Sequence, residues 1–273
     1  MRIAFIGGGT MGTAMVKCLL TKEVAAPANI IVSDVSPSQR ELLSQEYGVS
    51  TLAGNRKAIE GADVAILAIK PQDLAQIMEE IKSPPPQQAV LSIVAGASLA
   101  SLCQGLNHSS VIRAMPNMPA QIGEGMTVWT ATTEVSQKQK EMARSILGAL
   151  GQEVYVDDEK YIDMATALSG SGPAYVFLFI EGLANAGVHI GLPRDMAQKL
   201  VIQTVLGSAC TVQRTGKHPA ELRDMVTSPG GITAEALLQL EKGGFRSLLL
   251  EAVAAAYDKA KHLSVTSPSM GEG

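Results

Sequence analysis

Two stretches of this sequence place small residues where backbone amides could meet an anion. The first, Gly7-Gly8-Gly9-Thr10-Met11-Gly12, follows the apolar run Arg2–Ile6 and precedes a helix-period segment starting at Thr10. In a G-x-G-x-x-G turn so placed, Gly7 makes the tight turn, Gly9 lets the backbone approach a pyrophosphate, and Gly12 lets helix pack closely on strand. The helix offers free N–H groups and a partial positive charge to the phosphates. Ile6 closes the strand, so Ile6, Gly7, Gly8, Gly9, Thr10, Met11 and Gly12 form one candidate cofactor cradle. Asp34 ends the next apolar run, where an acid hydrogen-bonds the ribose 2′-hydroxyl of NAD; the local alternative is an Asx turn into the helix at Pro37. Ser36, Ser38 and Arg40 could instead hold the 2′-phosphate of NADP, so the stretch admits NADH or NADPH, with Asp34 leaning towards NADH. The second stretch, Ser228-Pro229-Gly230-Gly231-Ile232-Thr233, is a turn ahead of a helix, and its amides form an anion-binding nest.

The elements that must position these residues alternate through the first half of the chain. Arg2–Ile6, Ile30–Ser33, Val64–Ile69, Ala89–Val94, Val111–Ala114, Met126–Thr130 and Glu153–Val156 read as strands. Helical patterns fall at Thr10–Leu20, from Pro37, from Pro71 and at Ser136–Leu150, the signal of βαβ units and a parallel sheet. After about residue 157 strand signals vanish. Alanine-rich helical segments follow over roughly 160–188, 194–214, 219–226, 232–242 and 245–262. The expected organisation is α/β: a doubly wound, mainly parallel dinucleotide-binding domain over 1–157, then an all-α domain over 158–273 with a frayed Ser/Pro/Gly-rich tail from Ser264. Gly170, Gly172 and Pro173 inside a helical stretch mark a kink or a close helix crossing.

Composition narrows the function. The 273 residues are 46% hydrophobic and 18% charged, enough for sizeable cores, and the net charge of −4 carries no footprint for nucleic acid. The apolar run Ala174–Ile180 is too short to span a bilayer, and no long apolar leader precedes the first glycines, so no membrane contact is expected. Cys18, Cys103 and Cys210 are odd in number and widely spaced, as are the four histidines, so neither a disulfide framework nor a metal site is expected and the setting is cytoplasmic.

Several stretches resemble the pyrroline-5-carboxylate reductase family: FIGGGTMGTAM at the start, AIKPQ at 68–72, IVAGAS at 93–98, RAMPNMPAQIGEGMT at 113–127, LSGSGPAYVF at 168–177, AGVHIGLPR at 186–194 and LRDMVTSPGGITAEAL at 222–237. The resemblance implies a Rossmann domain followed by a helical domain that interleaves with its twin in a homodimer, which can assemble further into rings. It also implies hydride transfer from NADPH or NADH to the C=N carbon of 1-pyrroline-5-carboxylate, giving L-proline.

On that resemblance the residues take roles. Gly230, Gly231, Ile232 and Thr233 hold the substrate carboxylate, and the Thr233 hydroxyl meets the ring nitrogen as the catalytic contact; a capping role is its local alternative. Glu159 matches a family position near the substrate. Ala68, Lys70 and Pro71 close a strand at the sheet's C-terminal edge and line the nicotinamide-ribose side, Asn55 reaches the adenosine half, and Ala95 and Ala97 flank the nicotinamide. Met225 stands where some relatives carry a polar residue. Two rivals share the Rossmann start: a β-hydroxyacid or 6-phosphogluconate-type dehydrogenase, which needs a helix-borne lysine that GSGPAY does not supply, and an NAD(P)-binding sensor without turnover.

Overall fold

The computed structural model describes residues 1–265. Four-residue strands β1 (Ile3–Ile6), β2 (Ile30–Ser33), β4 (Val64–Leu67) and β5 (Ala89–Ser92) are apolar nearly throughout, because both faces of the sheet are covered. Their side chains alternate between two cores. Ile3, Phe5, Val32, Ile66 and Leu91 join one core, with Met15 and Leu19 of helix α1 (Thr10–Thr21). Ala4, Ile6, Ala65, Leu67 and Val90 join the other. With β3 (Ser50–Leu52), β6 (Val111–Pro116), β7 (Gly125–Ala131) and β8 (Gly151–Tyr155) they form one sheet of order β3-β2-β1-β4-β5-β6-β7-β8. Every neighbouring pair is parallel except β6 with β7. The first six positions are the dinucleotide-binding order, whose direction of growth reverses between β1 and β4.

Helices α2 (Pro37–Tyr47), α3 (Asn55–Ile59), α4 (Leu74–Glu80), α5 (Leu99–Leu106) and α6 (Gln137–Gly148) connect the strands. Their starts are legible in local chemistry. Ser36 accepts from the Gln39 N–H with Pro37 in the first turn of α2, and Ser136 and Gln139 form a reciprocal capping box on α6. Two elements depart from expectation. The sequence reading has no strand at 50–52 and no helix at 99–106; β3 is a short edge strand of Ser-Thr-Leu, and α5 is announced chiefly by its cap, Ser98, which accepts from the Ser101 N–H. The run expected to stay extended to Ile69 leaves the sheet after Leu67.

Close packing divides the described chain into Met1–Ser171 with residues 256–265, and Gly172–Ala255. This division falls later than residue 157 because α7 (Lys160–Ala165) is tied to the sheet by ion pairs from Arg113. Thr166–Gly170 continues α7 as a π-turn up to Ser171, in the stretch that holds Gly170, Gly172 and Pro173. The second unit holds α8 (Gly172–His189), α9 (Arg194–Thr215), α10 (Pro219–Met225), α11 (Ile232–Lys242) and the first half of α12 (Phe245–Val265). The expected frayed tail lies, from residue 266, outside the described residues.

Ala184 is the one buried residue of α8, while Leu178 is 71% exposed and Phe177 half exposed. The helical stretch Lys160–His189 is also long and apolar enough, by length and composition, to cross a membrane, which the shorter run Ala174–Ile180 does not reveal. Apolar surface of that extent marks an interaction face.

Candidate active site

The glycine turn is built as its spacing predicts. Gly7 sits at φ +99°, a conformation that disfavours side chains, and its N–H donates to the Ser33 carbonyl at 2.8 Å, stitching the turn to β2. A methyl group at Gly7 would lie 2.4 Å from the Ala68 carbonyl oxygen, and one at Gly12 2.3 Å from the Gly7 oxygen. At Gly9 nothing lies within 4 Å. Gly7 and Gly12 therefore serve close packing, and Gly9 leaves room for a ligand. Among the described residues, the N–H groups of Thr10, Met11 and Gly12 at the start of α1 have no partner in the protein. Gly8 is turned inward beneath Leu43 and Val32.

A cleft of about 480 Å³ opens beside this turn, lined by Ile6, Gly7, Gly9, Asp34, Asn55, Ala68 and Lys70 of the expected residues, and also by Ser33, Val35, Ile69 and the start of α4. It therefore crosses the sheet's C-terminal edge from β2 past β1 to β4, the place where open α/β sheets take ligands. The Asp34 carboxylate is engaged on both oxygens: Oδ2 accepts the Gly8 N–H and Oδ1 the Ser36 N–H, each at 2.8 Å. Asp34 thus both closes an Asx turn and lines the cleft. Arg40 Nη1 donates to the Asp34 and Val35 carbonyls at 2.6 and 3.1 Å, which parks a guanidinium at this end beside the hydrogen-bonded Ser36 and Ser38 hydroxyls. Asn55 is buried; its Oδ1 accepts from Ser33 Oγ and its Nδ2 donates to Glu80. It does not cap its own helix with its side chain, whose N-cap is Gly54.

Lys70 stands at the rim of this cleft, and other expected residues lie apart from it. Lys70 is exposed and precedes a 3₁₀ turn, Pro71–Asp73, rather than ending the strand itself. Ala95 is exposed in the loop after β5, whereas Ala97 is packed into the core with Leu102 and Val94. Glu159 Oε1 accepts from Arg113 Nη1 at 2.7 Å and from the Leu99 N–H at 2.8 Å. Arg113, absent from the expected set, was signalled by a charge inside the otherwise apolar strand Val-Ile-Arg-Ala-Met-Pro. Burial first, then Glu134 and Glu159, pushes the Cys103 thiol up, and burial does the same for Cys18, so neither is prepared as a nucleophile.

In the helical unit the turn before α11 is formed as expected. Gly230 adopts φ +67°, and Gly231 is the N-cap, with no side-chain cap on the helix. The Gly231 N–H is already committed to the Ser228 carbonyl at 3.0 Å. The N–H groups of Ile232 and Thr233 have no partner among the described residues. Thr233 is half-buried at the second helical position and its hydroxyl makes no capping bond, which removes the capping alternative.

A dinucleotide cleft at the reversal point of a parallel sheet, followed by an all-helical unit, defines a nicotinamide-dependent oxidoreductase. Residues 2–96 match the family model "NADP oxidoreductase coenzyme F420-dependent", and residues 159–263 match "Pyrroline-5-carboxylate reductase dimerisation". The chain is 43% identical over 263 residues to a pyrroline-5-carboxylate reductase of Synechocystis, covering 96% of this chain and 98% of the relative. Among solved structures, the pyrroline-5-carboxylate reductase of Coxiella burnetii superposes with a TM-score of 0.91 at 38% identity, covering 96% of this chain and 98% of that one. The Plasmodium falciparum pyrroline carboxylate reductase, determined with NADP bound, superposes at 0.87 with 31% identity, covering 97% and 98%. The chain belongs to the pyrroline-5-carboxylate reductase family.

Proposed function

We propose that this protein reduces 1-pyrroline-5-carboxylate to L-proline with NADPH or NADH. The observation that carries this reading is the start of α11, where the two free amides of Ile232 and Thr233 and one free hydroxyl suit a small carboxylate beside a protonatable nitrogen. The residues of the cleft fit a dinucleotide: the open space at Gly9 admits a pyrophosphate, and the unpaired amides of Thr10 and Met11 meet it. When bound, the reduced nicotinamide supplies the hydride. The chain's own groups bind and orient. Ile232 and Thr233 amides take the carboxylate. The Thr233 oxygen accepts the N–H of the protonated imine, holding the C=N carbon in one orientation while the nitrogen lone pair is restored. Apart from the hydride no proton need move, so no acid–base pair is required.

The cofactor's phosphate preference is read from β2. With both Asp34 oxygens held by backbone N–H groups and Arg40 beside them, we assign the 2′-phosphate of NADPH to Arg40, Ser36 and Ser38. Arg40→Ala is expected to lower kcat/KM for NADPH about tenfold, the worth of one charge-assisted contact, and to leave NADH nearly unaffected. Equal losses with the two cofactors would remove Arg40 from phosphate recognition.

The exposed faces of α8 and its neighbours are assigned to a second copy in a homodimer, in keeping with the dimerisation match over 159–263. A molar-mass measurement in solution reads the number of copies, dimer or larger ring. The free thiols suit a cytoplasmic setting. The deciding assay follows reduced-nicotinamide absorbance with 1-pyrroline-5-carboxylate and then with a 3-hydroxyacid and oxidised cofactor. Turnover with the imine alone supports the reductase; turnover with the hydroxyacid alone replaces it with a β-hydroxyacid dehydrogenase, and none with either leaves a nucleotide-binding role.

A further inference from the structure

One buried charge and its two half-buried partners have no part in the chemistry above. Arg113 lies in β6 between Ile112 and Ala114, all three buried, and is 4% exposed. Its Nη1 donates to Glu159 Oε1 and its Nη2 to Asp163 Oδ1, both at 2.7 Å. A buried ion pair is a poor source of stability, since apolar residues of similar volume often do as well. Its presence in a strand covered on both faces calls for a task of another kind.

That task is visible in the second partner of Glu159. The oxygen held by Nη1 also accepts the N–H of Leu99 at 2.8 Å, the first amide of α5. Helix starts leave such amides unpaired, and a carboxylate placed there by a fixed arginine satisfies one and favours the helix dipole. The segment it holds is the end of the Ala95–Ser98 loop, which leaves the C-terminal edge of β5, next to β4 in the sheet. A dinucleotide with its adenosine end at Asp34 on β2 runs across β1 and directs its nicotinamide towards β4 and β5.

We propose that Arg113, acting through Glu159, is a positioning residue for hydride transfer, fixing the start of α5 and so the 95–98 loop beside the nicotinamide. This rests on the reading that NADPH or NADH occupies the cleft in that direction. Glu159, placed near the substrate by resemblance, acts on this view through Leu99 and not through substrate contact.

The test compares Glu159→Ala, Glu159→Gln and Leu99→Pro by kcat, by the isotope effect with NADPH deuterated at the transferred position, and by ADP-ribose affinity. Glu159→Ala should lower kcat about tenfold or more and raise the isotope effect, since small misplacements slow the chemical step itself. Binding of ADP-ribose, which lacks the nicotinamide, should stay within about twofold, because the adenosine end is held elsewhere. Glu159→Gln keeps an oxygen for both donors and should recover most of kcat. Leu99→Pro removes the amide and trims a partly buried side chain at the edge of the core while keeping it apolar; proline suits a first helical position, and Ser98 already has the extended conformation that a following proline requires. It should reproduce the slow transfer even if Glu159→Ala does not fold. Unchanged kcat and isotope effect in Leu99→Pro would overturn the proposal. So would a Glu159→Gln enzyme as slow as Glu159→Ala, which would mark the charge itself as essential. A wild-type enzyme that turns over no imine would instead sink the functional reading, and this inference with it.

Discussion

Gly12→Ala is expected to destabilise the protein by about 3 kcal/mol and to abolish measurable cofactor binding, while Gly9→Ala leaves stability unchanged and still weakens the cofactor. The two glycines share one turn and differ in what an added methyl group meets. At Gly12 it would stand 2.3 Å from the Gly7 oxygen and 3.2 Å from the Gly7 carbonyl carbon, with the Ala68 methyl behind. These neighbours are backbone or packed core, so relief requires lifting α1 from β1. Gly7 cannot yield, because its φ of +99° and its N–H to Ser33 hold it. Gly9 has φ −64° and ψ −166°, which alanine adopts freely, and open space around it. A methyl there occupies only the approach assigned to the pyrophosphate. Thermal unfolding and NADPH fluorescence titration separate the two effects: Gly9→Ala should keep its Tm and lose about tenfold or more in affinity. An alanine at Gly9 that binds NADPH as tightly as glycine would mean the phosphates lie elsewhere.

The contrast also shows where sequence reasoning was strong. β2 and the start of α2 match their expected limits because an apolar run covered on both faces, then Ser-Pro, carries its own boundaries. β3 carried no such signal: three residues at a sheet edge bury too little to impose a pattern. Asp34 was found by its distance from the glycine turn, yet spacing alone does not say that Gly8 and Ser36 would claim both oxygens. Ala97 is a small residue near a strand end whose side chain the fold spends on its core while its backbone stays in the loop after β5. Arg113 and Glu159 lie 46 residues apart, and their pairing depends on how α7 returns to β6, a tertiary fact with no local trace. The Gly231 amide was expected to bind the substrate; the turn itself consumes it, because a chain reversing at Gly230 needs the Ser228 carbonyl closed.

Thr233→Val is expected to lower kcat about tenfold or more while leaving the fold intact, because one hydrogen bond to a charged group is worth about 1.5–3 kcal/mol. The substitution keeps the branched shape and removes only the hydroxyl. That hydroxyl makes no bond within the described protein, so its loss should shift Tm by no more than about 1–2 °C. The amides of Ile232 and Thr233 remain, so carboxylate binding and KM should change less than kcat. Thr233→Ser restores the oxygen and should recover most of the rate. The alternative, in which Thr233 merely starts a helix, predicts the reverse order: valine close to wild type in rate and any loss confined to stability. Steady-state kinetics with 1-pyrroline-5-carboxylate on the three proteins decides between them, and a valine enzyme with wild-type kcat would leave the ring nitrogen without its partner and the turn with an anchoring role alone.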